Sequence, residues 1–199
     1  QFYGNLAMKG LPDTDNTTFD AFIKRLTTTG EEIENIDIPP FEKKKKIKLP
    51  EEITGIGNVL ISGKMNGKFD DFLSNLDIKT SQGNSKIEAR YWTEGNSDHV
   101  KGNVIAQNIN VGAFINNNDL KNLDANIETD LTYSSSKGLY LKAKGELPQL
   151  TYNDYKYQNI KLDGEFTERY FNGKASIRDQ NGNLDFLGKL NFEEKIPSF

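Results

Sequence analysis

NVLISGKM (58–65) puts Val59, Ile61, Gly63 and Met65 on one side of an extended chain and Asn58, Leu60, Ser62 and Lys64 on the other. Successive side chains of a strand point to opposite faces, so this stretch reads as a β-strand with one apolar face and one wet face. The same alternation recurs almost to the end of the chain, with hardly a helix between. The expectation is an all-β protein with an extended apolar face that something must cover.

Working outward, strands are predicted at about 1–10, 17–27, 55–67, 72–80, 84–93, 99–107, 121–133, 138–148, 155–166, 169–178 and 183–192. Turn signals separate them: Gly10-Leu11-Pro12-Asp13, Ser81-Gln82-Gly83, Glu94-Gly95-Asn96-Ser97, Ser134 to Lys137, and Asp179-Gln180-Asn181-Gly182. These clusters have hairpin lengths, so the strands read as an antiparallel meander. Thr29 and Glu32 have the spacing of a capping box before a short helix that carries Ile33 and Ile36 on one edge. Alternation fails at 108–120, where Val111, Phe114 and Ile115 suit a single helical turn. Residues 37–52 (DIPPFEKKKKIKLPEE) hold Pro39, Pro40, Pro50 and four consecutive lysines, which forbid a central strand. They read as an exposed connector and the best sub-boundary in an otherwise single elongated unit spanning residues 1–199.

A weak repeat, apolar-x-Gly-x-apolar, appears at 61–65, 162–166 and 186–190. Glycine inside a strand permits sharp coiling or close approach of another group. Repeats of this kind suggest extension by stacking.

Composition narrows the function classes. The chain has 199 residues, a formal net charge of −4 and no cysteine, with a pI near 5.2 and a mean hydropathy of −0.67. An acidic balance gives no electrostatic footprint for nucleic acid. Without cysteine there is no disulfide framework or thiolate chemistry. No run approaches the ~18 apolar residues of a membrane-spanning helix. The chain opens at Gln1 directly into a strand, which is expected of a piece cut from a longer protein.

Catalytic groups are sparse. His99 is the sole histidine, and no second His or Cys is there to complete a zinc site. The pairs Glu31-Glu32, Glu51-Glu52, Asp70-Asp71 and Glu193-Glu194 are sequence neighbours, and adjacent strand residues face opposite ways, so they suit solvated surface better than acid–base cooperation. No phosphate-cradling glycine loop precedes a helix. No enzyme, metal or cofactor is expected. Lys43 to Lys46 with Lys48 suit either anionic lipid headgroups or a solvated loop. Tyr152, Tyr155 and Tyr157 suit either a sugar platform or cross-strand packing. Trp92, offset from the Ile87, Ala89, Tyr91 face, is either a partner contact or an edge cover.

GKMNGKFDDFLSNLDIKTSQGNSKIEARYW (63–92), NVIAQNINVGAF (103–114), the opening YGNLAMKGLPD (3–13) and the run from Leu147 to Phe199 resemble the TamB family of translocation and assembly module proteins, within the AsmA-like group. The most specific part runs from Tyr155-Lys156-Tyr157-Gln158-Asn159-Ile160 to Asp179-Gln180-Asn181-Gly182-Asn183-Leu184-Asp185-Phe186. The family usually has Asp-Pro where Asp179-Gln180 stands. The resemblance implies a periplasmic segment of an envelope-spanning protein of a Gram-negative bacterium, held in the inner membrane by an N-terminal anchor outside this chain. It implies a coiled antiparallel sheet folded into a β-taco trough with an apolar interior, and a hydrophobic groove for phospholipid acyl chains moving between the two membranes. It also implies a role in outer-membrane protein assembly with a barrel partner, engaged through regions outside this chain.

Residues expected to line the groove are Val59, Ile61, Met65, Leu76, Ile78, Ile87, Ala89, Tyr91, Val104, Ile127, Leu131, Leu139, Leu141, Ala143, Ile160, Leu162, Phe166, Ala175 and Ile177. Lys64, Asn75, Glu88 and Lys142 are expected outside it. Open strand edges are expected to self-associate. Two rival folds carry the same alternation: a transmembrane β-barrel, and a carbohydrate-binding or adhesive β-sandwich using Trp92 and the tyrosines.

Overall fold

The computed structural model describes residues 1–35, 37–38, 45–46, 57–115 and 117–191. Eleven strands form one antiparallel sheet: β1 (Phe2–Lys9), β2 (Thr18–Thr29), β5 (Asn58–Lys68), β6 (Asp71–Thr80), β7 (Gly83–Glu94), β8 (Ser97–Asn110), β9 (Leu120–Ser134), β10 (Gly138–Tyr152), β11 (Tyr155–Thr167), β12 (Tyr170–Asp179) and β13 (Gly182–Asn191). Spatial order follows chain order throughout. Among the described residues a two-residue pair, β3 (Asp37–Ile38) with β4 (Lys45–Lys46), lies between β2 and β5 outside that sheet. The rest of the 37–52 connector, with Lys43 and Lys44, lies outside the described residues.

Local chemistry sets the punctuation. The Thr29 side chain accepts from the Glu32 N–H at 3.2 Å while the Glu32 carboxylate accepts from the Thr29 N–H at 3.2 Å, completing the capping box that starts α1 (Gly30–Glu34). The irregular stretch after β8 forms α2 (Val111–Ile115). Between β1 and β2, Thr17 is fully buried and donates to the Asp13 carbonyl at 2.6 Å, which closes the turn without a hydrophobic plug.

Two strands run further than their sequence suggests. β10 continues past Pro148 to Tyr152, with its register against β9 shifting between Glu146 and Gln149. Proline has no N–H for the ladder, and a bulge there removes the need for one. β8 continues to Asn110 across a register shift between Ala106 and Ile109, where Asn108 takes a φ of 53° and its N–H donates to the Asp124 carboxylate at 2.7 Å.

The sheet is open and uncurled. Among the described residues β1 and β13 are the two free edges and do not meet, so the barrel alternative does not apply. Among the described residues the other sheet is the two-residue β3–β4 pair, and no second layer of sandwich size packs on the first. Among the described residues the sheet is a single open layer whose two edge strands do not come together over the apolar face. With a single layer, burial is shallow: among the described residues the buried apolar side chains are Ala21, Ile23, Val59, Ala125, Ala143, Ile160 and Phe171.

Candidate functional site: the apolar face

Register stacks the apolar face into rows that cross the strands. One row reads Ile23, Gly63, Leu76, Ile87, Val104, Ile127, Gly145, Leu162, Ala175, Phe186 from β2 to β13. Two residues along each strand lies a second row: Ala21, Met65, Ser74, Ala89, Gly102, Thr129, Ala143, Gly164, Gly173, Gly188. The third row is Phe19, Gly67, Phe72, Tyr91, Val100, Leu131, Leu141, Phe166, Phe171, Leu190. A line of small side chains thus runs between a branched aliphatic row and an aromatic row.

Shorter rows complete the face. Ile61 and Ile78 stand opposite each other, and Val59 stands opposite Thr80. Leu139 pairs with Tyr133, and Ile160 with Ile177. Every residue expected to line the groove therefore falls on this one face of the sheet. Phe72, Val100, Phe171, Phe186 and Leu190 share the face and were missed. The same period carried to the ends of β6, β8, β12 and β13 finds them.

Ring contacts tie the aromatic row together. Phe72 lies 5.0 Å from Tyr91 and 5.9 Å from Phe19, while Phe171 lies 4.7 Å from Phe166 and 6.0 Å from Phe186. Such pairs add roughly 0.5–1.5 kcal/mol each beyond their area. Tyr91 keeps its polar tip satisfied by donating to the Asp98 carboxylate at 2.7 Å, and burial together with that carboxylate pushes its phenol well above the usual range.

The small row results from close backbone approach. A Cβ on Gly102 would lie 2.1 Å from the Glu88 carbonyl oxygen and 2.5 Å from the Ala89 Cα. One on Gly173 would lie 2.5 Å from both the Asp163 carbonyl oxygen and the Gly164 Cα. The repeat glycines Gly164 and Gly188 share this row with Gly173, whereas Gly63 sits one row over.

The opposite face is charged and internally paired. Lys101 meets Asp130 at 2.9 Å, Lys161 meets Glu146 at 2.9 Å, Arg90 meets Asp71 at 2.7 Å and Arg178 meets Asp185 at 2.6 Å. The Arg90 hydrogen bond holds the Asp71 carboxyl below its ordinary range. A depression of about 620 Å³ spans β10 to β13, lined by Lys144, Glu146, Lys161 and Asp163 together with Gly145, Leu162, Ala175 and Phe186 of the first apolar row. A smaller one of about 200 Å³ is bordered by Lys101, Asp130, Lys142 and Lys144. Both depressions are bordered by charged side chains, and Lys142 borders the smaller one.

The aromatic outliers are packing residues. Trp92 stacks on His99 with centroids 4.9 Å apart and planes 8° from parallel, the Arg90 guanidinium lies 5.2 Å from its ring, and His99 Nδ1 is 3.1 Å from the Thr132 hydroxyl. Tyr155 and Tyr157 meet edge to face at 4.6 Å, and Tyr155 donates to Asp179. Among the described residues no three His, Asp or Glu side chains gather in a metal-binding group, and no helix is long and apolar enough to cross a membrane.

The fold and face together define a class: an open, single-layered antiparallel meander with one continuous apolar side. Comparison with models of known families, with curated proteins and with solved structures found no match in any of the three.

Proposed function

We propose that this chain is a periplasmic segment of a TamB-like envelope protein whose apolar face carries phospholipid acyl chains between membranes. The observation supporting this reading is the uninterrupted run of apolar rows from β2 to β13, perpendicular to the strands and thus along the long axis of the sheet. Eleven strands at ~4.8 Å spacing make a track roughly 50 Å long. An acyl chain of some 15 methylenes gains about 0.8 kcal/mol for each one fully buried, or on the order of 12 kcal/mol. A single open face covers one side of such a chain and yields about half. That level of attraction holds a tail without fixing its position, because non-directional contacts change little from one strand to the next. Support for outer-membrane assembly as a linked role, for the barrel partner and for the inner-membrane anchor is the resemblance alone.

The test is site-specific photo-crosslinking in the protein as the cell makes it. A photoreactive residue at Ile78 or Ile127 is expected to capture phospholipid, whereas the same residue at Lys79 or Glu128, on the charged face, is not. Equal capture from both faces, or none from the apolar one, removes the reading.

A further inference from the structure

We propose that two copies of this chain pack face to face through the apolar rows, in a closed dimer that covers the face when no lipid lies on it. The argument begins with area. The rows cross eleven strands, about 50 Å, and strands of about ten residues at ~3.3 Å make the face roughly 30 Å wide. That is about 1,500 Å² on one copy, whereas a soluble monomer commonly shows a contiguous apolar patch of only about 300–600 Å². Two such faces bury about 3,000 Å². Crossed so that only half overlaps, they still bury about 1,500 Å², within the range of a stable interface.

The face is also ready to be dry. Its three long rows hold no charged side chain and three polar ones, each satisfied within the chain. Ser74 Oγ donates to the Ala89 carbonyl at 3.1 Å, the Thr129 hydroxyl to the Gly102 carbonyl at 3.4 Å, and Tyr91 to Asp98 at 2.7 Å. Covering these groups strands no donor or acceptor, which removes the main penalty of closing an apolar interface.

Shape selects the occupant. A cover for a flat open sheet must itself be flat, apolar over a similar length and twisted in the same sense, and two sheets of one hand pack aligned at about 30° and ~10 Å apart. Among the described residues the surface with those properties is the face itself. A two-fold axis between the sheets, parallel to the rows and midway between the small and aromatic rows, sets the aromatic row of each copy over the small row of the other. Such a contact is isologous and closes at two copies. The chain already uses this seat once: the Phe171 ring lies so close over Gly164 that a Cβ there would be 2.4 Å from it. On β8 and β9 the aromatic row holds Val100 and Leu131 instead of rings, and the seat over Gly102 and Thr129 takes Val100 and Leu131 of the second copy. β8 is the sixth of the eleven strands, so the contact is centred away from both edges and does not depend on what continues them.

Sedimentation equilibrium of the whole chain, stripped of lipid, is expected to show a dimer that gives way to monomer on dilution. Thr129→Lys sets an ammonium under the second copy, while in the monomer its long stem lets the charge reach water. It is expected to raise the dimer dissociation constant at least tenfold. Asn103→Lys makes the same change of charge on the other face, opposite Glu88 and Glu128, and is expected to leave that constant within twofold. Circular dichroism verifies that both remain folded. Without any substitution, hydroxyl-radical labelling of Leu131 is expected to fall at least threefold as the dimer forms. Labelling of Leu73, 54% exposed on the charged face, is expected to stay the same. The lipid arm rests on the function proposed above: lysophosphatidylcholine below its critical micelle concentration is expected to return the dimer to monomer, and glycerophosphocholine, the same headgroup without a chain, is not. The proposal is overturned by a monomer at every concentration, including one in which other residues of the chain cover the face, or by open-ended aggregates instead of a dimer. It is equally overturned if Asn103→Lys weakens the dimer as much as Thr129→Lys, if labelling falls alike on both faces, or if the dimer persists with lysophosphatidylcholine bound. A dimer that meets these tests, with no lipid captured at Ile78 or Ile127, removes the lipid reading and leaves the dimer standing.

Discussion

The two faces of this sheet are made by the same strands and do different work. The apolar face is specified by size, with branched, small and aromatic rows crossing the strands in order. The charged face is specified by sign. In the β10–β11 ladder Lys142 stands opposite Glu165, Lys144 opposite Asp163 and Glu146 opposite Lys161. A one-residue slip would turn Leu141 and Ala143 to the wrong side, which burial forbids. A two-residue slip would keep the faces and is not policed by hydrophobicity. It would, however, bring Lys144 against Lys161 in one direction or Glu146 against Asp163 in the other. The charged face thus guards the register that the apolar face leaves open.

The largest test of this division is steric. Gly102→Val on the apolar face forces a Cβ against the Glu88 carbonyl and the Ala89 Cα, both backbone atoms with no rotamer to change. A loss of about 3 kcal/mol is expected from urea denaturation, against about 0.5 kcal/mol or less for Lys101→Val next to it on the charged face. Charge comes next. Ile127→Asp is expected to cost about 2 kcal/mol by placing a carboxylate between Val104 and Gly145, while Glu128→Gln one position along stays within about 0.5 kcal/mol. If both cost the same, the faces are not distinct.

Smaller effects sharpen the register argument. Lys144→Glu places a carboxylate opposite Asp163 and is expected to cost about 0.5 kcal/mol, with Asp163→Lys on the same chain restoring it. Smallest is the Tyr155–Asp179 contact. The Tyr155 hydroxyl holds the Asp179 carboxyl below its ordinary value of 3.8, with help from the Asn181 and Gln158 N–H groups. A depressed carboxyl contributes stability that is present above the unfolded value and lost as pH falls through the folded one. Tyr155→Phe is therefore expected to lower the urea midpoint slightly at neutral pH and to flatten its fall below about pH 3.8. A parallel fall in both proteins would remove the contact from the account.

Strand existence and facing were legible because period two persists through Leu76-Asp77-Ile78 and Leu139-Tyr140-Leu141. The capping box was legible too, since Thr29 and Glu32 act within one turn. Strand ends were not: the alternation is read only to about residue 148, and a neighbour able to absorb a bulge lets β10 pass Pro148. Curvature was also beyond reach. A φ-x-G-x-φ element states that the backbone comes close to its neighbour, as Gly102 and Gly173 do elsewhere in the same face, but not that the sheet rolls up. The placement of Trp92 depends on His99, seven residues on and brought opposite by the β7–β8 hairpin.

Because order in space repeats order along the chain, the sheet is in effect one-dimensional, and its response to load follows from that. Each strand is held by the two beside it, so tension applied at the ends is expected to peel hairpins singly rather than break a common core at one threshold. One junction is much longer than the rest. Thr29 and Asn58 are opposite each other, so the β2–β5 seam must be closed across residues 30–57, an entropic cost about 2 kcal/mol greater than for a two-residue turn such as the one between β7 and β8. On relaxation the strands from β5 onward are expected to re-form first, with β1 and β2 returning as a pair in a separate, slower step that a force–extension trace resolves.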